Sequence, residues 1–341
     1  MVSSRPDPAP WAVAPNVDAL VAGAAERVPL AVHGSRSGAR FEHVVLGDAP
    51  FVLKHVDRAD DWIMRQTGDL GCVPVTVWES GCSTCSSTAS TTPPSARREI
   101  AADGSVSGAV LMRDVADALV PDDTTRLAPA AHLRFLDHLA ACHAATLGWR
   151  DEVGLVPLGN RYSFFGPDAL ACEAARSVPH PVPSAARDAW TRLPATAPRL
   201  HELLAPLRAE PWVVLAALAE PPHAFLHGDW KLTNLGTDHD GRTVLVDWSV
   251  SGEGPLLTEV LHYATLNAAR LPAGHTHDDV LDAYRAALEA RGVRTGAWWD
   301  TQAAACTLGV MLQLGWARAD DTPEGIAAWT TRVEDALRVL A

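Results

Sequence analysis

Within His227-Gly228-Asp229-Trp230-Lys231-Leu232-Thr233-Asn234 the chain gathers an imidazole, a carboxylate, an ammonium and a carboxamide. A second carboxylate, Asp247, follows thirteen residues after Asn234. Phosphoryl transfer needs such a set: a carboxylate to orient the attacking hydroxyl, hard oxygen ligands for magnesium, and a cation near the moving phosphoryl group. An acidic turn beside a strand would explain neither the Asn five residues after Asp229 nor the second Asp at a strand end. Apolar residues lead into both motifs, Ala224-Phe225-Leu226 and Val244-Leu245-Val246. Between them Asp238-His239-Asp240-Gly241 has the composition of a hairpin turn. The spacing predicts two short strands that present one loop and one strand end to a common site.

The pattern HxDxxxxN, with a further Asp at the end of the next strand, resembles the catalytic pattern of protein kinases. With His-Gly-Asp in place of His-Arg-Asp it resembles the aminoglycoside phosphotransferase and choline kinase group. The resemblance implies a two-lobed, protein-kinase-like α+β fold. Residues 1–114 would form a small antiparallel-sheet nucleotide-binding lobe, and residues 115–341 a larger, mainly helical lobe with the catalytic loop and acceptor site. It implies transfer of the γ-phosphate of ATP, with magnesium, to a hydroxyl of a small molecule. Asp229 would be the catalytic base, and Asn234 and Asp247 would hold the metal. Lys231 would lie near the transferred phosphoryl group; many aminoglycoside phosphotransferases have His there, whereas protein kinases have Lys. The resemblance runs from about Phe41 to Ala319 on few specific positions and does not name the acceptor. Relatives use aminoglycosides, macrolides, choline, homoserine and sugars. The competing reading is a non-catalytic, kinase-like nucleotide-binding protein, which would bind nucleotide without turnover.

A chain of 341 residues, 48% hydrophobic and 20% charged, is long enough for two lobes. Its net charge of −13, from 28 basic and 41 acidic residues, argues against a nucleic-acid partner and favours a cationic acceptor. A basic amino-sugar or amino-alcohol is the first expectation. No run of eighteen apolar residues suggests a membrane span, and the N-terminal fifteen residues lack the apolar core of a secretory signal. A cytoplasmic location is expected. Cys72, Cys142, Cys172 and Cys306 read as buried free thiols. Cys82-Ser83-Thr84-Cys85 would be half a zinc site, but no second pair or nearby His supports one.

In the first third, Phe41 to Leu46 and Phe51 to Val56 read as strands joined by Gly47-Asp48-Ala49-Pro50. Lys54 lies in mid-strand, and the resemblance makes it the lysine that grips the α- and β-phosphates. The loop from His33 to Gly38 would cover the nucleotide, with Ser35 and Gly38 at the phosphates, though a plain hairpin turn fits as well. Arg58 to Gly68 reads as a short helix, and Asp60 and Asp61 are equal candidates to hold Lys54. Gly108 to Val115 reads as the strand entering the hinge, where backbone groups from Met112 to Asp114 would meet the adenine.

From about Leu127 the chain reads as helical. Leu133, Leu136, Leu139, Ala140, Ala144 and Leu147 recur at helical spacing, and Gly148 is placed to stop the helix. The resemblance would put His143 on this helix behind the catalytic loop; a core-edge histidine bonded to a backbone carbonyl is the favoured reading and describes the same place. Residues 149–222 are rich in proline and only patchily helical; the resemblance makes them the insertion that shapes the acceptor pocket. Trp149, Tyr162, Phe164 and Phe165 would line a pocket or fill the core. Glu259 would brace the catalytic loop. Helices are predicted over Thr276–Arg291, Ala297–Ala319 and Pro323–Ala341, with Thr276 as an N-cap.

Residues 81–100, GCSTCSSTASTTPPSARREI, cluster Ser, Thr and Cys without apolar periodicity, where the small lobe needs its fourth strand beside Val106–Met112. A disordered polar insertion is one explanation. A frameshift is the other. With the reading frame moved back one base, each Ser written TCN becomes Leu, Ile, Val or Phe. Cys becomes Leu, Met or Val, and Thr becomes Asp, His, Asn or Tyr. CSTCSSTASTT then becomes a pattern such as LLDLLLDRIDH, continuing AAVGAARD, an amphipathic run followed by a strand-like one.

Overall fold

The computed structural model describes residues 16–32, 37–82, 89–91, 95–102 and 104–341. Its N-terminal strands are β1 (Glu26–Pro29), β2 (Arg40–Leu46), β3 (Ala49–Asp57), β4 (Ala89–Thr91), β5 (Ser95–Ile100) and β6 (Val106–Arg113). Among the described residues five of them form an antiparallel sheet in the order β1-β2-β3-β6-β5. Alternation along β3 sorts its side chains onto two faces. Phe51 and Leu53 join Val44, Ala109, Leu111 and Leu20 of α1 (Val17–Leu20) in one apolar cluster. Val56 turns the other way, to a cluster with Val110, Cys72 and Val75, which belongs to α3 (Val73–Ser80). Lys54 shares that second face and pairs in register with Val110. Between them runs α2 (Trp62–Thr67), four residues shorter at its start than expected, because Asp61 is its N-cap.

The strand beside β6 is built by Ser95–Ile100 as written, with Ser95 and Ala96 buried. The expectation that residues 81–100 leave this place unfilled is therefore corrected for its last six residues. The Arg97 guanidinium lies over the Trp78 ring, 5.7 Å from its centroid, and Arg98 donates to Thr76 Oγ1, so charged residues of this strand find partners on α3. Residues 83–88 and 92–94 lie outside the described residues, as does Cys85.

Beyond β6 the chain is mainly helical: α4 (Pro129–Ala145), α5 (Leu158–Ser163), α6 (Pro167–Ala174), α7 (Pro181–Thr196), α8 (Pro198–Ala209) and α9 (Trp212–Leu218), then α10 (Leu257–Leu266), α11 (His277–Glu289), α12 (Trp299–Leu314) and α13 (Pro323–Leu340). The prolines that made 149–222 hard to read open helices: Pro167, Pro181 and Pro198 stand in the first turn, where no backbone donor is lost. Thr276 and Asp279 form a reciprocal capping box at α11. In α4, Leu136, Leu139 and Ala140 are buried, but Leu133 and Leu147 are exposed and the helix ends at Ala145, before Gly148. Tyr162, Phe164 and Phe165 fill the core, with Trp149 packed against it. Cys72, Cys142 and Cys306 are buried thiols, whereas Cys172 is exposed, contrary to expectation. Among the described residues no helix is long and apolar enough to cross a membrane.

Four short strands thread this helical part: β7 (His223–Leu226), β8 (Leu235–Thr237), β9 (Thr243–Leu245) and β10 (Gly252–Pro255). β8 and β9 form the expected hairpin, closed by Asp238 and by Gly241 at φ +80°. β4 adds to β9 in parallel. β7 pairs instead with β10, in a segment where the sequence suggested only a turn.

Candidate active site

β7 ends at Leu226 and delivers His227 to a loop whose backbone is held from several sides. Glu259 on α10, fully buried, accepts the N–H of His227 at 3.1 Å and of Gly228 at 2.6 Å. It also accepts from His143 Nε2 at 2.9 Å, and His143 Nδ1 meets the Tyr284 hydroxyl. Burial pushes the Glu259 carboxyl up, but the hydrogen bond and charge of His143 and the Gly228 N–H outweigh it and hold it below the usual range. The bracing expected of Glu259 is thus seen as contacts, and His143 bonds a carboxylate and a phenol rather than a backbone carbonyl. Arg161 on α5, also buried, donates to Gly228 O at 3.1 Å and to Val250 O. Gly228 has φ +90°, and a Cβ there would lie 2.1 Å from Val250 O and 2.4 Å from Arg161 Nη1. Only glycine fits this crossing. His227 Nε2 donates to Val246 O at 3.1 Å while its Nδ1 accepts the Asp229 N–H at 3.3 Å. Burial lowers the pKa of His227, in keeping with this neutral, bridging role.

Asp229 follows, its side chain 16% exposed. Its Oδ2 accepts from Lys231 Nζ and from Asn234 Nδ2, both at 2.7 Å. Asn234 Nδ2 also donates to Asp229 O at 3.0 Å, so its amide oxygen is the end turned away from Asp229. Asp229 Oδ1 accepts no hydrogen bond among the described residues.

Asp247 stands two residues beyond β9 at φ +64°, a left-handed conformation that is strained for a non-glycine residue. The preceding residue is tied to the loop that carries Asp229, Val246 N–H donating to Asn234 O at 3.1 Å. Asp247 Oδ1 accepts from Lys54 Nζ at 2.8 Å and from Ser249 Oγ at 2.7 Å, and Lys54 Nζ reaches Ser249 Oγ at 2.9 Å. Burial drags the Lys54 ammonium down, but Asp247 and Asp61 outweigh it and leave its pKa raised. The reciprocal effect, chiefly the charge of Lys54 against burial, holds the Asp247 carboxyl well below the usual range. Asp61 is buried and Asp60 exposed. Neither bonds Lys54: Asp61 Oδ1 caps α2 through Ile63 and Met64, and its Oδ2 is buried without a partner. Burial raises the Asp61 carboxyl to about 6 even with Lys54 nearby.

Lys54, Val110 and Met112 of the sheet, Pro74, Val77 and Trp78 of α3, and Asp247 and Trp248 line a narrow cavity. Met112 is therefore brought to the cluster. Asp114 is not: its carboxylate accepts the Ala116 N–H at 3.0 Å, and its own N–H points to Pro50 O. Gly38, at φ +88°, packs on the start of α2, where a Cβ would lie 2.5 Å from Asp60 O. Ser35 lies outside the described residues. Sequence reasoning missed Ser249 and Arg161; Arg161 stands in the mixed sequence LGNRYS, where nothing marks it as buried.

Among the described residues no group of three or more His, Cys, Asp or Glu side chains could hold a metal ion. Asp247 and Asn234 instead offer a few hard oxygens, Asp247 Oδ2 accepting no hydrogen bond among the described residues. That suits magnesium, which keeps waters and binds through one or two carboxylates together with substrate phosphates.

No protein-family model and no curated protein matches the chain. Solved structures that match the chain include a thermostable mutant of aminoglycoside phosphotransferase APH(4)-Ia, 14% identical over 92% of this chain and 94% of that one, with a TM-score of 0.47. A microcompartment-associated aminopropanol kinase is 13% identical over 91% and 90%, with a TM-score of 0.49. Choline kinase LicA from Streptococcus pneumoniae is 10% identical over 94% of both chains, with a TM-score of 0.44. These matches span most of both chains at low identity, and the chemistry of this chain rests on its own side chains.

Proposed function

We propose that this protein is an ATP- and magnesium-dependent phosphotransferase acting on a hydroxyl of a small molecule, with residues 1–114 as its nucleotide lobe and 115–341 as its catalytic and acceptor lobe. The observation that carries the reading is the pair of carboxylates, Asp229 and Asp247, each with one oxygen held by a lysine and the other accepting no hydrogen bond among the described residues. The acceptor hydroxyl bonds to Asp229 Oδ1, which orients its oxygen toward the γ-phosphorus. As the new P–O bond forms and the bond to the ADP oxygen breaks, the hydroxyl proton passes to Asp229. Lys231, bonded to the other oxygen of Asp229, offsets charge on the moving phosphoryl group. Lys54 exchanges Asp247 for the α- and β-phosphates. Asn234 and Asp247 would hold magnesium, which supplies neutralising charge to the phosphate oxygens. The net charge of −13 supports a cationic acceptor, an amino-sugar or amino-alcohol. A screen of such acceptors with ATP, read by ADP release, tests the reading. Tight nucleotide binding without turnover on any acceptor would return the site to a binding role.

A further inference from the structure

Asp247 stands in a left-handed conformation, and the groups that fix its carboxylate are Lys54 and Ser249. Both act on Oδ1; among the described residues Oδ2 accepts nothing, on a side chain 35% exposed. Ser249 is itself buried, and its hydroxyl is placed between the two charges: it donates to Asp247 and accepts from Lys54. The two supports differ in what happens when a nucleotide arrives. An ammonium is drawn to phosphate and leaves Asp247. A neutral hydroxyl two residues along the same loop has no such pull and stays.

We infer that Ser249 is the positioning residue of the metal site. Its O–H keeps Oδ1 of Asp247 anchored once Lys54 has moved to the phosphates, so that Oδ2 alone is offered to the cation. Its oxygen, given up by Lys54, remains beside the phosphate lysine. This rests on the phosphotransferase reading, since it concerns the metal–nucleotide form of the same site. A hydrogen bond to a charged group is the interaction removed in Ser249→Ala, which sets the expected loss at roughly tenfold in divalent-cation affinity.

The test follows Mn2+ by electron paramagnetic resonance with a non-hydrolysable ATP analogue, in the wild type, Ser249→Ala and Ser249→Thr. Metal-free binding of the analogue is measured alongside by calorimetry, and thermal melting checks the fold. Ser249→Ala is expected to bind Mn2+ roughly tenfold more weakly, with metal-free nucleotide affinity and melting close to wild type. Ser249→Thr, which keeps the hydroxyl, is expected to restore most of the loss. Equal Mn2+ affinity in wild type and Ser249→Ala overturns the inference and leaves the phosphotransferase reading standing. So does a parallel fall in metal-free binding or melting, which would mark a merely structural serine. A wild type that binds neither Mn2+ nor the analogue overturns both.

Discussion

Asp229 and Asp247 have one oxygen each pinned between a lysine and a neutral donor, but the pins come from different distances. At Asp229 they are Lys231 and Asn234, on the same loop. At Asp247 they are Ser249, two residues on, and Lys54, 193 residues away on the N-terminal sheet. The backing differs too. The peptides around Gly228 are gripped by Glu259 on one side and Arg161 on the other. The backbone of Asp247 is instead left at a strained φ of +64°. The first carboxylate is preorganised by its own loop and the helices behind it. The second depends on how the sheet sits against the helical part. Chemistry that needs one fixed base and one adjustable metal ligand would divide the labour in this way.

Removing each carboxylate should therefore fail differently. Asp229→Asn is expected to lower turnover by about 10²–10⁴-fold, the usual worth of a positioned base, with nucleotide affinity and melting unchanged. Steady-state kinetics on an identified acceptor checks this, and turnover near wild type would remove Asp229 from the chemistry. Asp247→Ala is expected to abolish the magnesium dependence of nucleotide binding, a loss above the 10–100-fold typical of residues that only support a metal ligand. Calorimetry with and without magnesium reads it; an unchanged dependence would break the division drawn above.

The clamp behind the catalytic loop gives a third, smaller effect. Glu259→Gln keeps the shape but removes the charge that faces His143 and the two peptide N–H groups. An amide can accept from fewer of these donors, and its own N–H groups face another donor. A stability loss of about 3–5 kcal/mol is expected, as for breaking other buried charge pairs. Denaturant unfolding measures it. A loss under about 1 kcal/mol would mean that Arg161 alone holds the loop.

What was legible in the sequence follows the same near and far division. Asp229, Lys231, Asn234 and the β8–β9 hairpin are local, so types and spacing suffice. Thr276 announced α11 as its N-cap, and the structure adds the reciprocal bond to Asp279. Arg161 was silent because its partners are backbone carbonyls, which any residue carries, and Ser249 because Lys54, which joins it to Asp247, lies 195 residues away. The region from 149 to 222 was misjudged because prolines read as breakers where they open helices. β5 was hidden by composition: Arg97 and Arg98 meet Trp78 and Thr76 with their guanidinium groups, so the strand carries little apolar signal. The frameshift proposal now concerns residues 81–94. Serines encoded there mainly by AGC or AGT would end it, because their shifted codons are not apolar.

The smallest effect lies beside the adjustable carboxylate. Asp61 is buried with Oδ2 unpartnered, and burial raises its pKa from the ordinary 3.8 to about 6. Between these values the folded protein holds a proton that the unfolded chain has released. Stability is therefore greatest below pH 3.8 in this respect, falls as pH rises, and is lowered in full above pH 6. The displacement corresponds to up to about 3 kcal/mol, at about 1.4 kcal/mol per pH unit. Asp61→Asn keeps an N-cap for α2, since the amide oxygen still accepts from Ile63 and Met64, and it removes the titration. The variant is expected to match wild type near pH 4 and to be the more stable protein at pH 7–8, measured by urea unfolding across that range. If wild type is instead the more stable at pH 8, then the Asp61 charge stabilises the fold through Lys54, and both acids near that lysine, rather than Asp247 alone, hold it in the resting site.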